Sequence, residues 1–249
     1  MKKIFCTAAL FIGLQSLYAQ TITDTTRPVA KPKTDWKSAD LSNRGNDHIL
    51  LQFGADSWGN VPDSINTKGF SRHFNIYVML DKPFKTNPRF SVAFGVGVGS
   101  SNIFFDRTFV DVKSTAPNLP FTNQATTDHF KKFKLATVFA EAPVELRYNT
   151  NPLNPTKGYK VAIGGKVGTL LSAHIKGKTL ENASGQAINN YILKEKSKRY
   201  FNSTRLVATM RVGYGIFSVH GTYQITNFLK DGVGPEIRPY SIGLTISGL

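Results

Sequence analysis

A stretch of strict alternation, FSVAFGVGVGSS at residues 90–101, constrains the fold of this chain more than any other feature. Large apolar residues occupy every second position from Phe90 to Val98, and the alternate positions from Ser91 to Gly99 are small, three of them glycine. A period of two places these two sets on opposite faces of a β-strand. The glycines do not indicate a phosphate-binding loop, because no Gly-Lys-Ser/Thr ending follows them. The stretch therefore predicts a strand with one bulky apolar face and one nearly empty face.

Similar alternation recurs along the chain and predicts an all-β fold. We assign eight strands, at residues 48–58, 70–83, 89–105, 131–149, 158–176, 203–214, 216–227 and 237–247. On the fifth strand the pattern places Ile175 on the bulky face and Lys166 on the opposite one. Pro143 lies inside the fourth strand and predicts a bulge there, because proline removes a hydrogen bond from the ladder.

The chemistry of the smaller face indicates which side of the sheet is inside. Gly, Ala, Ser and Thr dominate this face, with isolated charges. Small residues are required where space is scarce, as inside a barrel of about eight strands. The bulky apolar face must then point outwards, and an outward apolar band is stable only in lipid.

The lengths of the connections agree with this interpretation. Short connections at 84–88, 150–157 and near Gly215 alternate with longer ones at 59–69, 106–130, 177–202 and 228–236. Short periplasmic turns and longer external loops are typical of outer membrane barrels. We therefore predict an eight-stranded antiparallel transmembrane β-barrel in the outer membrane.

The region before the first strand predicts export. Residues 1–19 have the basic start, the apolar run and the small-residue cleavage site of a signal peptide, and residues 20–47 indicate a flexible periplasmic linker. The barrel domain would occupy residues 48–249. The formal net charge is +15. Because an exported protein rarely meets nucleic acid, we expect outer membrane lipid and lipopolysaccharide as partners instead.

The fourth strand contains the sequence TVFAEAPVELRYN, residues 137–149, which resembles a motif of the PorT-like outer membrane β-barrel family. The resemblance extends over about 48 to 249 and implies a small outer membrane barrel. Most members of the family have no assigned activity. The namesake is implicated in protein secretion, a role that these residues do not carry over to this chain. Envelope or secretion-complex proteins are candidate partners of a barrel with a structural or binding role. The matching residues are Phe139, Glu141, Pro143, Leu146, Arg147 and Tyr148.

Two groups of charged residues are candidate sites. The first should face the barrel interior, where charges must be paired; it either supports the barrel or forms a binding or relay site. The second should lie on the external surface, where it either binds lipopolysaccharide phosphates or is a solvated loop. The interior group is Glu141, Glu145, Arg147, Lys166, Arg205 and Arg211, and the external group is Lys131, Lys132, Lys134, Lys176, Lys178, Lys194, Lys196, Lys198 and Arg199.

We predict a non-enzymatic barrel with a structural, binding or secretion-accessory role and without cofactor, metal or catalytic residues. No pair of histidines has zinc-ligand spacing, and Cys6, the only cysteine, would leave with the signal peptide. One alternative is a lipid-modifying barrel enzyme, for which Ser218, His220 and Thr222 form the nearest local set. The other alternative is a soluble, lipocalin-like carrier.

Overall fold

The structure, a computed structural model, describes residues 48–68 and 70–248. The predicted signal peptide and linker lie outside the described residues. The strands are β1 (Ile49–Gly59), β2 (Ser71–Pro83), β3 (Phe90–Phe105), β4 (Thr108–Val110), β5 (Phe121–Asn123), β6 (His129–Asn149), β7 (Tyr159–Glu181), β8 (Ala187–Lys196), β9 (Thr204–Tyr214), β10 (Phe217–Gln224) and β11 (Arg238–Ser247).

Eight of these strands form a closed antiparallel ring. The order is β1, β2, β3, β6, β7, β9, β10 and β11, and β11 pairs with β1 to complete the circle. These are the eight strands predicted from the alternation, so the all-β antiparallel prediction is confirmed. The only helical turn in the described part of the chain is a 3-10 turn, Pro155–Lys157. No helix in the described ranges is long and apolar enough to cross a membrane.

The ring has an apolar outside and a crowded inside. Val78 and Val96, on neighbouring strands, are 57% and 66% exposed, whereas Tyr77 and Met79 are buried inside the ring. The glycines of β3 face this interior. A Cβ atom on Gly99 would lie 2.6 Å from the carboxylate of Glu141 and 2.8 Å from the amide oxygen of Asn75. The near-empty face of β3 therefore leaves space for larger side chains from the strands around it.

The register of β6 corrects two predictions. The ladder between β3 and β6 lacks the pairs opposite Ala142 and Pro143 but resumes in the same register, so the bulge predicted at Pro143 is wrong. The irregularity lies instead between Val138 and Phe139, where β7 contains one extra residue. That extra residue inverts the alternation of β7, since each single-residue shift exchanges the two faces. Ile175, predicted to face outwards, is fully buried for this reason.

One end of the ring, which we call the long-loop end, has more structure than the sequence predicts. β4 pairs with β5 inside the connection between β3 and β6, and β8 extends β7 as a hairpin. The connections also supply buried apolar residues to a core that continues into the inner faces of the strands. These loop residues include Val110, Val112, Leu119, Tyr200, Phe201, Phe228, Leu229 and Ile237.

Candidate functional site

Glu141 is the centre of a buried ionic cluster inside the ring. Its Oε1 atom lies 2.6 Å from Nη2 of Arg205 and also accepts a 2.8 Å hydrogen bond from Nε of the same side chain. Its Oε2 atom lies 3.1 Å from Nζ of Lys166 and accepts a 2.5 Å hydrogen bond from the hydroxyl of Tyr77. The Arg205 guanidinium stacks 3.8 Å from the ring centre of Phe139. Side chains from three strands, β2, β7 and β9, thus surround a carboxylate that β6 supplies.

Glu145 organises a second cluster nearer to the opposite end, where the short connections lie. Its Oε2 atom accepts hydrogen bonds of 2.8 Å from Nε of Arg147 and 2.9 Å from Nη2 of Arg211. Arg147 also lies 3.8 Å from a carboxylate oxygen of Asp81, and Arg211 donates to the hydroxyl of Ser247 at 3.5 Å. All six charged residues predicted for the interior therefore lie in two clusters inside the ring, each built around one glutamate of β6.

A hydrogen-bonded chain of polar groups, which the sequence did not indicate, crosses the interior beside these clusters. Nδ1 of His73 lies 2.7 Å from Oδ1 of Asp56, and its Nε2 lies 2.9 Å from Nε2 of His220. Nδ1 of His220 lies 2.9 Å from the Thr245 hydroxyl. Ser101 donates to the other oxygen of Asp56. The period-two pattern places His73 on the inner face of β2, but its partners come from strands distant in sequence.

Little free space remains between these groups. The interior cavity beside Asp56, His73 and Lys166 has a volume of about 40 Å³, and the one beside Arg147 and Arg211 has about 20 Å³. A cavity needs about 10–15 Å³ of water-accessible space to hold one water. On this measure each of the two cavities accommodates a few waters at most. No cluster of metal-ligating residues occurs within residues 48–68 and 70–248.

The nine cations predicted for the external surface separate into three groups at the long-loop end. Lys131 lies 3.1 Å from the carboxylate of Glu181. Lys198 and Arg199 lie in the loop after β8. Lys198 donates to the carbonyl of Leu170 at 3.5 Å, and Arg199 donates to that of Thr115 at 3.3 Å. The remaining six share the outer face of β6, β7 and β8; they are Lys132, Lys134, Lys176, Lys178, Lys194 and Lys196.

Strand register explains why these six lysines come together. Lys134 is directly opposite Lys176, and Lys176 is directly opposite Lys194. Directly paired residues lie on the same face of a sheet, about 5 Å apart between Cβ atoms. Ile175 and Gly177, which alternate with the lysines on β7, are buried, so the lysines point outwards. Like charges side by side repel, and an anionic partner would offset this repulsion.

An antiparallel ring with apolar side chains outside and paired charges inside defines a membrane-embedded β-barrel protein. The chain belongs to the outer membrane protein beta-barrel domain family, whose model matches residues 44–231. The family match supports a location in the outer membrane. No curated protein matches the chain.

Proposed function

We propose that the protein is a non-enzymatic, eight-stranded transmembrane barrel that is closed to solutes and acts through its external surface. The observation that carries this proposal is the filled interior. The clusters around Glu141 and Glu145 occupy the middle of the ring, and the apolar core of the loops occupies the long-loop end. An eight-stranded ring leaves room for side chains only. The structural role of the interior charges is therefore to fill and neutralise the lumen.

The proposed orientation places the short connections in the periplasm and the long-loop end outside the cell. The connection lengths support it, since outer membrane barrels have short periplasmic turns and longer external loops, and aromatic residues on the outer face mark the membrane interface at the short-connection end. Tyr159 and Tyr214 form an edge-to-face pair at 5.1 Å, and Phe217 pairs in register with Tyr214. The six outward-facing lysines would then meet the phosphates of lipopolysaccharide.

Geometry around His220 favours a non-enzymatic role. Both ring nitrogens of His220 have partners, in His73 and Thr245, so the ring is not oriented towards a serine. The hydroxyl of Ser218 is buried and has no hydrogen-bond partner among the described residues. A hydroxyl nucleophile requires a base within hydrogen-bond reach. The set Ser218, His220 and Thr222 lacks that arrangement.

A binding role is supported by the β7–β8 hairpin. β8 ends the sheet order, so its outer edge has no strand partner in the described part of the chain. Ile188 and Ile192 on this strand are 53% and 57% exposed. An open edge with apolar side chains can accept a strand from another protein. PorT-like membership and attachment to an envelope or secretion complex fit this feature and belong to the proposal.

The first test is electrical. The purified barrel is inserted into planar bilayers, and we expect no discrete conductance steps, because neither interior cavity accommodates a hydrated ion. Stepwise openings by the wild-type protein would refute the closed barrel. A porin measured in the same chamber controls for insertion.

Orientation is tested with engineered cysteines. Ser184→Cys lies in the exposed turn between β7 and β8, and Lys85→Cys lies in the exposed turn between β2 and β3. In intact cells, a membrane-impermeant maleimide should label Ser184→Cys and spare Lys85→Cys. The opposite pattern would place the long-loop end in the periplasm. Recovery of either variant in the soluble periplasmic fraction would support the carrier instead.

A further inference from the structure

A groove of about 350 Å³ lies at the long-loop end, where β2 and β3 meet the start of β6. Its lining combines aromatic rings with positive charge. The rings include Phe104 on β3 and Phe70, which precedes β2 and is 66% exposed. No acidic residue contributes to the lining. The cations around the groove are Lys68, Arg72, Lys131 and Lys132.

Part of this positive charge is not neutralised within the protein. Lys68 lies 3.7 Å from the carboxylate of Asp106, and Lys131 is paired with Glu181. In contrast, Arg72 and Lys132 form no ion pair with any described residue. The guanidinium of Arg72 lies 5.2 Å from the ring centre of Phe104, a contact that leaves its outer N–H groups available.

The groove begins where the lipid-facing surface ends. Along the outer face of β2, exposed apolar residues from Leu80 to Phe74 are followed directly by Arg72. Two residues of a strand span about 7 Å, so the surface changes from apolar to cationic over a very short distance. Nζ of Lys134, next to the groove, lies 5.7 Å from the ring centre of Phe104 and donates to Asn102 at 2.6 Å. In a lipid bilayer, phosphate groups lie at this kind of boundary between an apolar band and a charged surface.

We propose that this groove is a binding site for a phosphorylated glycolipid, with a lipid A phosphate held between Arg72 and Lys132. Guanidinium groups bind phosphate through two parallel hydrogen bonds, and the ammonium of Lys132 adds a second charge. The rings of Phe70 and Phe104 offer an apolar surface for the sugar and the first carbons of the acyl chains. This inference rests on the proposed function, because it requires the long-loop end to face the outer leaflet.

Lipid binding to the full chain, purified from outer membranes in nonionic detergent, tests the site. Native mass spectrometry measures the Kd for bisphosphorylated lipid A, for its dephosphorylated form and for phosphatidylglycerol. A basic residue near a lipid surface contributes about 1 kcal/mol, so Arg72→Gln/Lys132→Gln should bind lipid A about 30-fold more weakly. The matched control, Lys113→Gln/Lys230→Gln, removes the same charge from exposed loops at the long-loop end and should change the Kd less than threefold.

Each outcome has a distinct meaning. Equal losses in the two double variants would refute the groove, because external charges would then act without a defined site, and would leave the proposed function intact. Equal binding of phosphorylated and dephosphorylated lipid A by the wild type would refute both the groove site and the proposed binding of lipopolysaccharide phosphates by the basic surface. Phosphatidylglycerol binding as tight as that of lipid A would refute the choice of a glycolipid. If the double variant does not fold, as judged by its unboiled gel mobility, the single variant Lys132→Gln is measured instead. We expect it to bind lipid A about fivefold more weakly. An unchanged Kd would refute the site.

Discussion

Replacement of Glu141 by glutamine is the most severe single-atom change we predict for the barrel interior. The carboxylate of Glu141 faces the cations of Lys166 and Arg205, at 3.1 and 2.6 Å, and is 3% exposed. In Glu141→Gln, both cations remain buried and face a neutral amide. Removal of one partner from a buried ion pair costs about 3–5 kcal/mol. We expect Glu141→Gln to lower the free energy of unfolding by that amount.

Removal of a cation from the same cluster, instead of the carboxylate, should be milder. In Lys166→Met the carboxylate keeps its two contacts with Arg205 and its hydrogen bond from Tyr77. The remaining charges are balanced, so the loss should be about 1.5–3 kcal/mol, the range for hydrogen bonds to charged groups.

Urea titration in phospholipid vesicles, followed by the mobility of the unboiled band on a gel, measures both variants. Glu236→Gln, in an exposed loop, is the matched control and should stay within about 0.5 kcal/mol of the wild type. A loss in Lys166→Met as large as that in Glu141→Gln would refute the reasoning, because it would mean that Arg205 does not stabilise the carboxylate by itself.

Three further predictions concern the outer face, the inner face and the loops. Val96→Lys puts a charge on the exposed apolar face and should destabilise the vesicle-bound barrel by about 2–4 kcal/mol, and no loss in the same titration would contradict a lipid-facing position. Gly99→Val places methyl groups against Glu141 and should cost about 1–3 kcal/mol, seen as a smaller folded fraction on the gel; wild-type folding would show that space is available there. Tyr200→Phe removes a 2.7 Å hydrogen bond to the Ser114 carbonyl and should increase loop cleavage in limited proteolysis, whereas an unchanged digestion pattern would indicate that ring packing alone holds the loops.

The strands and their faces could be predicted because period-two alternation is a local signal. Phe90 to Val98 identify both the strand and its lipid-facing side before any partner is known. The bulge in β7 could not be predicted, because Ser172 and Ala173 are both small and fit either face. One extra residue there changes the side on which Ile175 lies.

The candidate sites were predictable to a similar, limited extent. A single turn brings β6 next to β7, so alternation and turn position suffice to bring Glu141 near Lys166. The contact between Tyr77 and Lys166 depends on the curvature of the sheet from β2 to β7, and the pair His73 and His220 depends on the β1–β11 pairing that closes the ring. Sequence spacing contains no information about those contacts. The apolar core of the loops was missed for a related reason, since its residues follow no period.

The distribution of charges between strands has a consequence for the order in which the barrel enters the membrane. The hairpin of β6 and β7 includes both Glu141 and Lys166, so it brings a neutralised pair. β9 brings two arginines, Arg205 and Arg211, whose acids both lie on β6. A lone arginine is costly in the hydrocarbon region. We therefore expect β9 to enter lipid only after β6 is in place and the sheet has curved enough for the side chains to reach across β7. On this basis we expect insertion and closure of this barrel to be one coupled event rather than the stepwise addition of independent hairpins.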